Sequence, residues 1–244
     1  MNDAGERRQP ARGAMTRIAL GAALLVAAAL PAMAQQFSLC GQLQNGYGPF
    51  DYRKDRDKLP IVDNSHFTPE VEMLMRGVSG YIGGDLDYAL RAFPNHHRAL
   101  VAMMRLGERE KTSKPRGANY TVECYFDRAT RFVPNDTVVR SLYATFLSKA
   151  GRRDDALAQL EQAVQHATDN PFAHYNIGLV YLEMKVYDKA LVQAHRAIEL
   201  GFPRTELADG LRQAGAWKDP VEQSADDPPT PMPASASAPQ GTRP

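Results

Sequence analysis

Slid against itself by 34 positions, the stretch from Thr137 to Arg204 lays one pattern on another: Ala144 meets Gly178, Ala156 meets Ala190, and Ala163 meets Ala197. A fixed period of this length is the signature of helical repeat chains. Each helix pair in them cannot bury its apolar face alone and stacks on its neighbour. The pattern therefore predicts an all-α helical-hairpin solenoid.

The frame extends in both directions. Placing Ala102 where Ala144 and Gly178 stand brings Phe126, Ala129 and Pro134 in eight residues late, which one insertion explains. The insertion belongs in the polar stretch Lys111 to Asn119, between the two helices of the unit. Three contiguous units follow, at 95–136, 137–170 and 171–204. Before them, Thr68-Pro69-Glu70 reads as a helix start, and Val71, Leu74, Met75 and Val78 share one face. Gly77, Gly80, Gly83 and Gly84 then form a turn, and Asp85 caps a short second helix that Pro94 stops. Residues 68–94 thus read as a degenerate repeat. After Arg204, Thr205 is expected to cap a terminal helix at 205–218 whose buried face is Leu207, Leu211 and Ala214, closed by Trp217 as a packing residue. Residues 35–67 are dense in turn formers, Pro60 among them, and read as an irregular N-terminal arm whose Tyr47, Phe50 and Tyr52 pack on the first helices.

These units resemble tetratricopeptide repeats. The resemblance rests on Ile177, Gly178, Tyr181, Tyr187, Ala190, Ala197 and Pro203 in one unit, and on Tyr143, Ala144, Leu147, Gly151, Ala156, Ala163 and Pro171 for the other. Small residues at 144, 156, 178 and 190 let helix backbones approach closely. The chain departs from the family where Arg140 and His174 replace an early tryptophan. Ala99, Ser141, Tyr175, Met103, Thr145 and Leu179 also stand where carboxylate-gripping members carry Lys and Asn. What the resemblance implies is a partner-binding scaffold whose concave surface is lined by first helices, here His96, Met103, Leu142, Thr145, Phe172, Tyr175, Asn176 and Leu179. That mixture suits an extended peptide or a partner helix. The alternative is a structural subunit whose groove is filled by its own arm.

The ends of the chain bear on compartment. Arg17, the apolar run Ile18 to Leu30, and Ala32-Met33-Ala34 read as a basic region, an apolar core and an A-x-A cleavage site, so residues 1–34 read as a secretory signal peptide. Met15-Thr16-Arg17 is itself a compact start, and residues 1–14 are readable as an upstream-start artefact. The apolar run falls short of the roughly 20 residues that span a bilayer, so no integral membrane segment is expected after cleavage. A periplasmic or secreted protein follows as the expectation. Residues 219–244, rich in Pro, Ala, Ser and Asp, read as a disordered tail. Two cysteines in an exported chain make a Cys40–Cys124 disulfide the default, against a buried free thiol at Cys124. Cleavage removes four arginines and two acids and leaves 25 basic and 26 acidic side chains. Near-neutrality argues against nucleic acid and against capture by an anionic membrane.

Chemistry is sparse. The sequence contains no G-x-S-x-G, H-E-x-x-H, C-x-x-C or phosphate-binding glycine loop, so an enzyme is unsupported and no cofactor is expected. Asn95-His96-His97-Arg98 is the most loaded tetrad. Adjacent histidines on a helix point about 100° apart and do not readily chelate one ion together. They read as capping or packing residues, with a metal-binding protein or metal-dependent enzyme built on His66, His96 and His97 as the alternative. The basic insertion at Lys111, Lys114 and Arg116 reads as a solvated loop, or else as a docking point for an acidic partner.

Overall fold

The computed structural model describes residues 40–78 and 80–220. The signal peptide expected at 1–34 and nearly all of the tail expected at 219–244 lie outside them. Among the described residues the regular structure is helical: α1 (Leu59–Ser65), α2 (Pro69–Glu72), α3 (Ile82–Ala92), α4 (His97–Glu110), α5 (Val122–Phe132), α6 (Thr137–Lys149), α7 (Arg153–Ala167), α8 (Pro171–Glu183), α9 (Tyr187–Glu199) and α10 (Glu206–Gln213). Residues 95–136 hold α4 and α5, 137–170 hold α6 and α7, and 171–204 hold α8 and α9. The two helices of each unit pack on each other, and the first helices also meet, α4 on α6 and α6 on α8. This is a helical-hairpin solenoid.

Local chemistry sets the helix ends. Asp136 accepts hydrogen bonds from the amides of Val138 and Val139, and Asn170 from that of Ala173, so the orphan donors of α6 and α8 are satisfied where the units begin. Gly151 and Lys185, one period apart, both take positive φ, at 76° and 58°. Each is followed by an amide that reaches back to the helix, Arg152 to the Leu147 carbonyl and Val186 to that of Tyr181. This is the left-handed cap that turns a first helix toward its second.

The small residues of the repeat sit at the crossings. Ala144, Ala156, Ala163, Ala190 and Ala197 are all buried. A Cβ on Gly178 would stand 2.4 Å from Leu207 Cδ2, so Gly178 marks the seat of α10 on α8. Two apolar cores result, one around α1–α5 and one around α6–α10, and Tyr143 and Phe146 pack against both.

Several expectations from the sequence are corrected. Pro60 is not a turn residue: it sits in the first turn of α1, where its missing N–H costs nothing, so the arm contains a helix. The helix beginning at Pro69 stops at Glu72 and does not run to Val78. Leu74 takes φ 59°, and the Met75 amide closes the turn on the Glu70 carbonyl. Of the expected apolar face only Val71 is fully buried, while Met75 and Val78 stand exposed. Asp85 does not cap α3, which starts at Ile82; its buried carboxylate accepts from the Val78 amide at 2.8 Å instead. Thr205 makes no side-chain capping bond, and Ala208 replaces Ala214 on the buried face of α10 because the helix ends at Gln213.

The disulfide joins Cys40 to Cys124 with Cα atoms 5.0 Å apart. It ties the arm to α5, and polar groups continue the attachment. The buried Arg128 guanidinium donates to the carbonyls of Cys40 and Gln42, and Asn45 accepts from Arg91 on α3. The insertion 111–119 is pinned as well. Asp87 accepts from the Tyr125 hydroxyl and from the backbone and side chain of Asn119. A Cβ on Gly83 would lie 2.4 Å from the Arg116 carbonyl, so α3 and this loop touch backbone to backbone.

Candidate functional site

The surface expected to bind a partner divides into covered and open parts. His96, Met103 and Tyr175 are buried and cannot line it. His96 lies between the rings of Tyr52 and Phe67, at 4.2 and 4.6 Å, so the arm covers this end of α4. Tyr175 packs on Phe202 and donates its hydroxyl to Glu206. Leu142, Thr145, Asn176 and Leu179 are partly exposed, and Phe172 is half exposed. Thr145 donates its hydroxyl back to the Ser141 carbonyl, which spends its donor inside α6. Among the described residues the arm at 40–67 meets α6 only at its cap, where Arg53 faces Asp136, and no hydrogen bond, ion pair or ring contact runs from it to 137–149 or to α8.

The open part begins in a cleft of about 340 Å³ between α2, α4 and α6, lined by Glu72, His97, Arg98, Val101, Ala102, Arg105, Val138 and Leu142. Val101, Val138 and Leu142 give it an apolar floor. Arg98 is committed to the Glu72 carboxylate in a two-point pair, which raises its pKa. Arg105 is exposed and makes no ion pair among the described residues. Reading the first helices by period would have found Val138, the equivalent of Phe172 one unit on. Glu72, Val101 and Arg105 carried no such signal, because they become neighbours only through the packing of α2 and α4 on α6.

The three histidines of the metal alternative do not converge. His66 faces Asp85, His96 faces Asp63 and His97 faces Asp136, each with its own carboxylate. Among the described residues no group of three or more His, Cys, Asp or Glu is placed to hold an ion. His96 is instead a helix cap: its Nδ1 accepts from the Ala99 amide at 3.2 Å, which leaves Nε2–H to donate to Asp63. Protonation would convert Nδ1 to a donor and break the cap. Burial is the main cause that lowers its pKa, and the Asp63 carboxylate offsets this in part.

A polar hub beside the cleft joins arm, α4 and α6. Asn95 donates to Asp51 at 2.7 Å and to Asp136 at 3.0 Å and accepts from the Tyr52 amide, while His97 and Arg53 also face Asp136. Burial opposes ionisation of Asp136, but hydrogen bonds from His97, Asn95 and the Val139 amide hold its pKa below the ordinary value. Burial likewise opposes ionisation of Asp51, yet bonds from Arg53 and Asn95 bring it down to about 2.

These shifts share one sign. A lowered carboxylate pKa stabilises the fold above the unfolded value near 3.9 and stops doing so as pH falls toward about 2. Buried neutral His96 acts the same way from below about pH 6.5, where the unfolded chain takes up a proton that the folded chain refuses. The urea midpoint is therefore expected to fall from pH 7.5 to 5.5 and more steeply below 4. His96→Asn, which keeps a capping acceptor, should flatten the upper part of that curve. A midpoint constant from pH 7.5 to 4 would refute the assignment.

No family model matches the chain, and no curated protein is found to be similar to it.

Proposed function

We propose that this chain is an exported tetratricopeptide-type scaffold that binds a protein or peptide partner in the cell envelope through α4, α6 and α8. The observation that carries the reading is the apolar floor of the cleft, Val101, Val138 and Leu142, together with Phe172 and Leu179 left partly exposed on α8, which packs on α6. Arg105 at its edge adds a cation for an acidic or carboxylate group on the partner. Export is supported by the leader-like sequence at 1–34 together with the Cys40–Cys124 bridge, which an oxidising compartment maintains. The arm covers only the α4 end, which favours an external partner over a groove filled from within.

Crosslinking in the native envelope tests this. Leu142→Arg and Arg105→Glu are each expected to reduce capture of the partner at least tenfold, while Val192→Arg, exposed on α9, leaves it unchanged. Capture that survives both groove variants, with helicity intact, would reject the surface.

A further inference from the structure

Among the described residues, half of the large exposed apolar side chains lie in or beside the loop between α2 and α3. Met73, Met75, Val78 and Tyr81 expose 62%, 69%, 53% and 53% of their surfaces within nine residues of chain. Isolated exposed apolar residues are ordinary, but four on one loop are not.

The fold sets this loop against the basic insertion. Arg116 lies over the Tyr81 ring at 4.2 Å, and a Cβ on Gly117 would touch the Tyr81 side chain at 2.9 Å. From α4, Arg109 donates to the Leu74 carbonyl. Arg76 belongs to the loop itself, and the exposed Lys111 and Lys114 belong to the insertion. Glu70 and Glu110 are the acids beside them: Glu70 lies 3.9 Å from Arg76, and Glu110 accepts from the Arg116 amide. The buried Asp85 also accepts from the Val78 amide, while Glu72 and Glu108 are paired with Arg98 and Lys149, so five cations against three carboxylates leave a local positive excess around exposed methionine, valine and tyrosine side chains.

We infer that Met73, Met75, Val78 and Tyr81, together with residues 109–116, form a docking surface for an anionic phospholipid membrane, with the apolar side chains entering the headgroup boundary and the cations facing lipid phosphates. Charge complementarity beside exposed apolar side chains selects this occupant. Unbranched methionines and a tyrosine ringed by Lys and Arg suit a fluid, negatively charged interface, where apolar burial and electrostatic attraction act together. The near-neutral total charge does not oppose it, because screening over about 8 Å lets a surface sense only the charges close to it. Each cation near such a surface is worth about fivefold in binding. The protein would thus sit at the membrane without any helix long and apolar enough to cross it among the described residues.

The test uses the full chain with a polarity-sensitive fluorophore on Met75→Cys, and on Val192→Cys as control, mixed with vesicles of phosphatidylglycerol and phosphatidylethanolamine or of phosphatidylcholine alone. The expected result is a blue shift at position 75 with the anionic vesicles only, and none at 192. Any leader retained on the chain is common to both proteins and does not distinguish the two positions. Lys111→Glu/Lys114→Glu/Arg116→Glu should weaken the titration at least 30-fold, and Met73→Ser/Val78→Ser should weaken it about tenfold with the melting temperature unchanged. No shift at 75, an equal shift at both positions, or an equal response to phosphatidylcholine would overturn the inference. Crosslinking of position 75 to an acidic envelope protein with no vesicle response would likewise assign the surface to a protein instead.

Discussion

Replacing both cysteines, as Cys40→Ala/Cys124→Ala, is expected to lower the unfolding free energy by about 4 kcal/mol, because the bridge closes a loop of 84 residues in the unfolded chain. For a chain of this size that is a large share of the total stability, which for folded domains is about 5–15 kcal/mol. Urea unfolding of the variant beside the oxidised parent measures it. The arm should not detach as a whole. The Phe50 amide still donates its hydrogen bond to the Ala92 carbonyl and its ring keeps its contact with Phe93, and Tyr52 keeps its place over His96. Fraying is expected first at residues 40–45, visible as faster amide exchange there. A loss below about 1 kcal/mol would mean that the unfolded chain holds these segments together without the bridge.

Asp136→Ala is expected to cost about 3–5 kcal/mol, the range for removing one member of a buried charged network. One carboxylate here caps α6, faces His97 on α4, and receives Asn95, which in turn holds Asp51 and the Tyr52 amide. Its loss leaves buried donors on three segments without an acceptor. Asp136→Asn, which keeps a capping oxygen but not the charge, should recover about 1 kcal/mol of the loss, the usual worth of a cap. Equal costs for the two variants would show that the charge, and not the cap, carries the site. In a double-mutant cycle, Asn95→Ala should cost much less in the Asp136→Ala background than in the parent, since the two side chains serve one network.

The doubled stretch 137–204 was the most legible part of the chain because its crossings require small residues at a fixed spacing, and Ala144, Ala156, Ala163, Ala190 and Ala197 are buried there. Legibility fell where tertiary contact, and not period, decides the outcome. Val71, Leu74, Met75 and Val78 satisfy a helical spacing, yet no apolar partner covers Met75 and Val78, and the helix stops four residues in. Pro60 looks identical in sequence whether it ends a turn or opens a helix. The frame put His96 and Met103 in register with Phe172 and Leu179. It had no means of showing that Tyr52 and Phe67, more than 25 positions upstream of their contacts on α4, cover the first unit and leave the later ones open. Asp85 and Asp87 were similarly opaque, since their roles depend on Val78 and Asn119 arriving from separate loops.

Among the described residues Tyr143 and Phe146 alone pack, partly buried, against both cores, and the two cysteines both precede them in the chain. That placement gives the molecule an order in time. A chain emerging N-terminus first presents Cys40, then α1 to α5, and has every contact of the first core except those from α6 once residue 132 is out. The crosslink can therefore lock before the doubled hairpins exist, and each later hairpin then grows on a template already closed by a covalent bond, with α10 finishing the stack as the last apolar face appears.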